Sequence, residues 1–252
     1  MTGLKARLVV VLMLMMAAIP GAAGSLDYNF EQGNKHYTAG DYPKAIEEYQ
    51  KIIAGGYQSA ALYYNLGNAY FRQGQLGQAI MNYTRARRLA PRDDDIKANL
   101  EFARQFAIDK IEVTQETILL DYVNRFFDSF SLTEITWLAA FLYIVTAVMV
   151  LIGYVYRWYR IPTPALILAL ALFSVAVIFT AVKLDRDVLT RKAVVLAQQA
   201  EVKSGPGEDF NSKFTAHAGL TFTIEREESG YYQVDFENRL KGWILKSVAA
   251  EI

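Results

Sequence analysis

Two long apolar stretches dominate the pattern of hydrophobic and polar positions along the chain. Residues 135–156 and 161–182 are each 22 residues long and contain no charged side chain. As helices they would each extend roughly 33 Å, which is enough to cross a bilayer core of about 30 Å. The pattern therefore predicts transmembrane helices at 132–156 and 161–183, in preference to two buried core helices.

The segment between the two stretches, 157–160, is very short and reads Arg-Trp-Tyr-Arg. Its aromatic residues suit the headgroup layer and its arginines suit the water beyond, so we expect a short cytoplasmic turn. Backbone inside hydrocarbon must form its hydrogen bonds internally, which predicts an antiparallel helical hairpin. The chain before 132 and the chain after 183 are then expected on the same side of the membrane.

The first 24 residues resemble a secretory signal in their layout. Lys5 and Arg7 precede an apolar run at 8–19, and small residues follow Pro20. This order is typical of a signal peptide or, if it is not cleaved, of an N-terminal anchor. In both alternatives the chain from residue 25 onward is exported, so both soluble parts are expected on the periplasmic side of a bacterial inner membrane.

One feature of the charge distribution opposes this orientation. Positive residues usually gather on the cytoplasmic side of a span. The expected turn holds two arginines, whereas the flank after the second span, which includes the linker 184–192, holds Lys183, Arg186, Arg191 and Lys192. We give the signal more weight because the first hydrophobic segment usually determines orientation.

A second pattern, before the spans, repeats every 34 residues. Residues 33–50 and 67–84 share Gly-Asn, Gly, Ala-Ile and Tyr at equivalent positions. Small residues let the two helices of a hairpin approach closely, and the tyrosine fills the space beside them. The motif and its period resemble the tetratricopeptide repeat, an all-α solenoid. We therefore expect two repeats at 25–92, followed by a capping helix and linker at 93–118.

The resemblance implies that the first helices of the repeats form a concave surface for protein partners. The residues expected on that surface are Phe30, Asn34, Tyr37, Tyr64, Asn68 and Phe71. The asparagines can donate to and accept from an extended peptide backbone. The alternative, that the aromatic residues are partly buried packing residues, stays open.

Residues 119–131 show a broad apolar face at helical spacing, with polar residues opposite. An amphipathic juxtamembrane helix is expected there. It would lie either in the membrane interface or against the repeats. Ser131 and Glu134 have the spacing of a capping box for the first span.

After residue 192 the periodicity changes from 3.6 to 2, and about five short strands are expected in 193–252. The segments Val-Lys-Ser-Gly-Pro-Gly, Glu-Ser-Gly-Tyr-Tyr-Gln-Val and Lys-Gly-Trp-Ile are similar to bacterial SH3-like domains, small all-β barrels. That resemblance implies ligand contacts at Gly205, Pro206, Tyr231 and Trp243. Trp243 can equally be part of the barrel core.

The order of these segments resembles the BatE type of the Bacteroides-aerotolerance proteins. It gives a multi-domain membrane protein with repeats, a two-helix hairpin and an SH3-like barrel. The resemblance implies partners among von Willebrand A-domain membrane proteins and, indirectly, a MoxR-type AAA+ ATPase.

Composition narrows the function further. Lysine plus arginine and aspartate plus glutamate each number 26, so a basic surface for nucleic acid is not expected. The chain has no cysteine, which excludes thiol catalysis and cysteine-ligated metal sites. Without a catalytic motif, we expect no enzyme, no cofactor, no catalytic residue and no metal ligand. Two functions remain, a membrane-anchored adaptor for protein partners and an anchor whose barrel binds peptidoglycan.

Overall fold

The computed structural model describes residues 23–109, 118–155, 163–236 and 240–252. The expected turn at 157–160 and nearly all of the expected signal segment lie outside these ranges and stay predictions. The chain divides into two compact units, the first ending at Gln58 and the second beginning at Ser59.

The first unit contains one helical hairpin, α1 (Ala23–Thr38) and α2 (Tyr42–Ala54). The helices touch where Gly33 meets Tyr49, because a Cβ built on Gly33 would lie 2.4 Å from the tyrosine Cε1. Gly40 makes the turn with a φ of +78°, which glycine adopts without strain. Asp41 then caps α2, since its carboxylate accepts a hydrogen bond from the backbone N–H of Lys44.

The second unit begins with the second hairpin, α3 (Ala60–Arg72) and α4 (Leu76–Leu89), followed by α5 (Asp94–Gln105). Gly67 repeats the contact of the first hairpin, with its would-be Cβ 2.7 Å from Cδ1 of Tyr83. The predicted packing of glycine against tyrosine is thus confirmed in both hairpins. Asp93 caps α5 through the backbone N–H groups of Asp95 and Ile96.

Three more helices follow: α6 (Ile118–Asp128), α7 (Leu132–Val155) and α8 (Thr163–Leu184). By length and composition, α7 and α8 are long and apolar enough to cross a membrane. Only 11% of the most apolar segment of α7 and 6% of that of α8 is buried. The predicted capping box starts α7, because the Ser131 N–H donates to the Glu134 carboxylate at 2.9 Å and the serine Oγ accepts from the Glu134 N–H.

Helix α6 packs on the end of α8. A position in the membrane interface, one of the two alternatives for this segment, stays a prediction. The rings of Phe126, Phe127 and Phe130 surround Phe179 of α8, and the closest ring centroids, those of Phe127 and Phe179, are 4.2 Å apart. Next to these rings, Arg186 donates to the Asn124 side chain at 3.0 Å, and its guanidinium lies 5.5 Å from the centroid of the Phe127 ring. Aromatic contacts therefore hold α6 beside the last apolar turns of α8.

After a π-helical turn at Asp185–Leu189, the chain forms one antiparallel sheet of seven strands in the order β3-β2-β6-β5-β4-β1-β7. The strands are β1 (Lys192–Val195), β2 (Gln199–Lys203), β3 (Ser212–His217), β4 (Thr221–Glu228), β5 (Tyr231–Phe236), β6 (Lys241–Leu245) and β7 (Ala249–Glu251). The sheet curls around one core, since the rings of Phe214 in β3 and Phe236 in β5 are 5.4 Å apart although two strands separate them.

The second repeat and the sheet meet along α4. A Cβ on Gly77 would lie 2.4 Å from the carbonyl oxygen of Val195 in β1. Gly219 has a φ of +93° and lies against the Ile80 side chain. Two arginines extend the contact, as Arg85 donates to the carbonyl of Glu251 and Arg88 to that of Ile252.

The linker after α5 adds a polar contact to the same junction. One carboxylate oxygen of Asp109 accepts from the backbone N–H of His217 at 2.6 Å, and the other lies 3.0 Å from the His217 Nδ1. Helix α5 ends at Gln105, and the residues that follow it bring Asp109 to the end of β3. The second repeat and the sheet are thus joined by backbone approach, arginines and a carboxylate.

The packing of Gly67 against Tyr83 predicts the effect of a single methyl group. In Gly67→Ala the new Cβ overlaps the Tyr83 ring, and overpacking typically costs about 1–3 kcal/mol. Hydrogen exchange of the α3 and α4 amides in the full chain should accelerate roughly 5- to 150-fold. Lys97→Ala, at an exposed helical position, is the control and should leave exchange nearly unchanged. Equal exchange in the two variants would contradict this packing.

Candidate functional site

In the first repeat, the residues expected to bind partners also pack within the helical hairpin. The Tyr49 hydroxyl donates to the Asn34 side-chain carbonyl at 2.8 Å. The ring of Phe30 lies 5.9 Å from that of Tyr49, and Tyr37 meets Tyr42 edge to face at 5.5 Å. All three expected site residues of this repeat are half-buried. Their inner faces therefore belong to the hairpin, and their outer faces remain accessible.

The second repeat reproduces two of these three contacts. The Tyr83 hydroxyl donates to the Asn68 side-chain carbonyl at 2.7 Å, and the rings of Tyr64 and Tyr83 are 6.1 Å apart. The asparagine thus holds the tyrosine that fills the space beside the helix glycine. This interaction gives Asn68 a structural role. Binding of a peptide backbone by either asparagine stays a prediction.

Phe71 lies in a cluster of three aromatic rings that α3 shares with the end of α5. Its ring is 5.6 Å from Phe102 and 5.5 Å from Phe106, and the last two are 5.1 Å apart. Phe102 is 48% exposed and Phe106 is 58% exposed. We call Phe71, Phe102 and Phe106 the aromatic patch.

Helix α5 also reaches the neighbouring site residue Tyr64. The Asn99 side-chain amide donates to the Tyr64 hydroxyl at 2.6 Å. Ile96, Leu100 and Ala103 form the buried face of α5. Phe102 and Phe106 were not among the expected site residues. The sequence did contain a signal for them, because these two phenylalanines are four residues apart and lie off the buried face of the helix.

In the sheet, two of the expected site residues lie in the loop after β2. Gly205 is buried against Phe210, and a Cβ there would lie 2.4 Å from the Phe210 ring. Pro206 is half-buried beside it. The loop starts next to Trp243, because Lys203 at the end of β2 pairs with that residue in β6. The structure therefore places the loop near one of the two aromatic site residues.

Tyr231 and Trp243 lie on the outer face of the sheet. Trp243 pairs with Gln233, and Tyr231 pairs with Leu245 two residues along β6, so the two aromatic residues are diagonal neighbours. Val234 and Ile244 point into the core on the opposite face. Tyr231 is nevertheless only 8% exposed and Trp243 only 7%.

A cation covers part of Trp243. The guanidinium carbon of Arg226 lies 5.2 Å from the centroid of the Trp243 ring, which is within cation–π range. Arg226, Gln233, Trp243 and Lys203 form a row across four strands. A ligand that contacts the indole face would have to displace or share Arg226.

Ionisable groups on the sheet form a structural network. Arg191 bonds the Glu251 carboxylate, which lowers the pKa of Glu251, and the arginine also pairs with Glu227 at 3.4 Å. Burial and the neighbouring Glu251 raise the pKa of Tyr232. Lys246 pairs with Glu227 as well. The network ties β7 to the tip of the β4–β5 hairpin.

The charged residues do not form a metal centre in the part of the chain that the structure describes. Groups of three or more histidine, aspartate or glutamate side chains at metal-binding distance are absent from 23–109, 118–155, 163–236 and 240–252. Among the residues that the structure describes, Asp109 is the carboxylate partner of His217.

Comparison with known proteins identifies the helical region. The tetratricopeptide repeat family matches residues 30–94, which cover most of both hairpins and the cap of α5. No curated protein matches the chain. The match and the two helical hairpins support a tetratricopeptide-like region at 30–94, and modules of that family are typically non-catalytic and bind proteins.

Because Tyr83 and Asn68 share one hydrogen bond, removing either partner should destabilise the hairpin by a similar amount. Tyr83→Phe and Asn68→Ala each remove this bond and should destabilise the α3–α4 hairpin by about 0.5–1.5 kcal/mol. The double variant should cost less than the sum, because both changes remove one interaction. Hydrogen exchange of the hairpin amides measures all three variants. Additive costs, or no cost for Asn68→Ala, would show that the bond contributes nothing to the hairpin.

Proposed function

We propose that the chain is a non-enzymatic, membrane-anchored adaptor of the bacterial cell envelope. Its repeats bind a protein partner, its two apolar helices hold it in the inner membrane, and its sheet is an SH3-like domain. The match to tetratricopeptide repeats supports protein binding. The resemblance of the whole chain to the BatE type adds von Willebrand A-domain partners and, through them, a MoxR-type ATPase.

The observation that carries the proposal is the aromatic patch. Exposed clusters of aromatic side chains often mark surfaces that another protein covers, and aromatic residues are enriched among the residues that dominate binding energy. Phe102 and Phe106 project from the last turns of α5 beside Phe71 of the second repeat. A partner helix or extended segment that covers these rings would remove apolar area from water.

The exposure of α7 and α8 supports the membrane anchor. In a water-soluble protein such helices would be mostly buried, yet Trp137, Phe141 and Val175 are among many apolar side chains that point outward. Exposed apolar area costs about 25 cal/mol per Å² in water, and a bilayer removes that cost. In their described parts, the two helices contact each other through pairs such as Tyr143 and Phe173.

The sheet would supply a second binding surface. The loop at Gly205 and Pro206 and the outer-face pair Tyr231 and Trp243 are the proposed contacts, with protein or wall peptide as ligand. In the alternative function, a peptidoglycan anchor, this surface binds the cell wall directly. Retention of the chain by purified sacculi, lost in Trp243→Ala, would favour that alternative.

Site-specific photo-crosslinking in cells tests the adaptor function. A photoreactive amino acid at Phe102 or Phe106 should capture one discrete membrane-protein partner, since these rings lie within the proposed contact. The same probe at Lys97, which is exposed on the same helix, is the matched control and should not capture it. Phe71→Ser should abolish capture from position 106 by disrupting the patch.

The outcomes separate the candidate surfaces. Capture that is equally strong from positions 97 and 106 would contradict a partner at the aromatic patch. If neither position captures a protein while a probe at Tyr231 does, the partner binds the sheet. A discrete partner that lacks a von Willebrand A domain would remove the resemblance to the BatE type from the proposal.

A further inference from the structure

A polar cavity of about 450 Å³ lies where the second repeat, α6, the end of α8 and the sheet meet. Its volume is within the range of small-molecule sites, roughly 300–1,000 Å³. Six cationic side chains line it: Arg87, Arg88, Arg104, Lys183, Arg186 and Lys192. Two carboxylates, Asp128 and Asp187, are the acidic residues on its wall.

The two carboxylates are fewer than the six cations, so these side chains give the cavity wall a net positive charge. Lys183 pairs with Asp187 at 3.2 Å, and Arg186 bonds the neutral Asn124. Arg88 donates to a backbone carbonyl, and burial lowers its pKa. Within the described residues, Arg87 and Lys192 make no ion pair. Like charges gathered in a partly enclosed space repel one another, and a bound anion would relieve that repulsion.

The position of the cavity relates it to the membrane. Lys183 and Arg186 follow directly after the apolar run of α8, and Lys183 is only 5% exposed. If α8 crosses the bilayer, these cations lie at the depth of the lipid headgroups. Asn124 and Asp128 of α6 form the facing wall, and α6 is held on α8 by Phe179.

We propose that this cavity binds the phosphate of an anionic phospholipid headgroup. Arginine guanidinium groups match phosphate oxygens in pairs, and lysines add point charge. Thr84, Asn124 and Thr221 offer neutral polar groups for the remainder of a headgroup. The site would fix the second repeat and the sheet at the membrane surface, because α4, α6, the end of α8 and β1 all contribute side chains.

The proposal gives the cations after α8 a second role. Lys183, Arg186 and Lys192 oppose the expected orientation of the hairpin when they are counted as topology signals. In the structure the same residues converge on one cavity with arginines of the repeat region. If these cations are required to bind a headgroup, their function explains why positive residues occur on the side of the membrane that is expected to be exported.

The proposed site rests on the proposed membrane anchoring. The test therefore uses the full chain, purified from membranes in a neutral detergent. Short-chain phosphatidylglycerol, short-chain phosphatidylcholine and inorganic phosphate are titrated separately, and binding is measured by native mass spectrometry. The variant Arg87→Gln with Lys192→Gln removes two cations that make no ion pair in the described residues. Lys35→Gln with Lys97→Gln removes the same charge from exposed positions elsewhere and is the matched control.

Wild-type protein should bind phosphatidylglycerol more tightly than phosphatidylcholine. The Arg87 and Lys192 variant should lose about tenfold or more in affinity, as expected for charged hydrogen bonds, whereas the control should change less than about twofold. A second pair, Arg104→Gln with Lys192→Gln, should give the same loss if the first pair does not fold. Equal affinity of folded variants and wild type would overturn the site.

Two further outcomes distinguish the ligand and the anchor. Inorganic phosphate that binds as tightly as the lipid and displaces it would overturn the lipid headgroup as ligand. Recovery of the chain in the soluble fraction without detergent would overturn the membrane anchoring on which the site depends. Failure of lipid binding in chain extracted from membranes would overturn the site alone.

Discussion

The close approach of helix α4 to the sheet is the constraint on which the second unit depends. Gly77 and Gly219 permit it, because a side chain at either position would overlap the Val195 carbonyl or the Ile80 side chain. Arg85 and Arg88 then donate hydrogen bonds to the backbone oxygens of Glu251 and Ile252. Because a charged guanidinium forms strong hydrogen bonds, these two contacts hold β7 and the residue after it against the second repeat.

This junction determines which surfaces remain for partners. Helix α4 faces the sheet, so the second repeat presents α3 and α5, where the aromatic patch lies. The outer face of the sheet, with Tyr231 and Trp243, remains a separate surface. Between the two modules the chain makes its apolar hairpin, which in the proposed function holds the assembly in the membrane.

Local sequence pattern predicted the elements whose packing is local. The 34-residue period, the contacts of Gly33 and Gly67 with tyrosine, and the capping box at Ser131 depend on residues near one another in the chain. Two strands were missed for physical reasons. In β3 only Ala216 is buried, so its alternation is weak, and β7 is three residues long.

The candidate site was less predictable because its contacts are distant in sequence. The patch of Phe71 with Phe102 and Phe106 joins two helices, and the basic cavity collects side chains from 84 to 252. Asn34 and Asn68 were expected to face a ligand, and sequence alone did not reveal that each accepts a hydrogen bond from a tyrosine fifteen residues later. Residue type showed their bonding capacity, but only the hairpin geometry identified the partner.

A cysteine pair across the junction tests most directly whether the second repeat and the sheet are joined on one membrane face. The chain has no cysteine, so Asp109→Cys with His217→Cys creates the only possible disulfide. In intact cells the pair should oxidise without added oxidant, as expected in an exported compartment, and alkylation mass would detect it. Asp109→Cys with Glu228→Cys is the control, because β4 carries Glu228 roughly 20 Å along the sheet. Reduced thiols in the test pair even after added oxidant, or equal oxidation of the control, would contradict the junction.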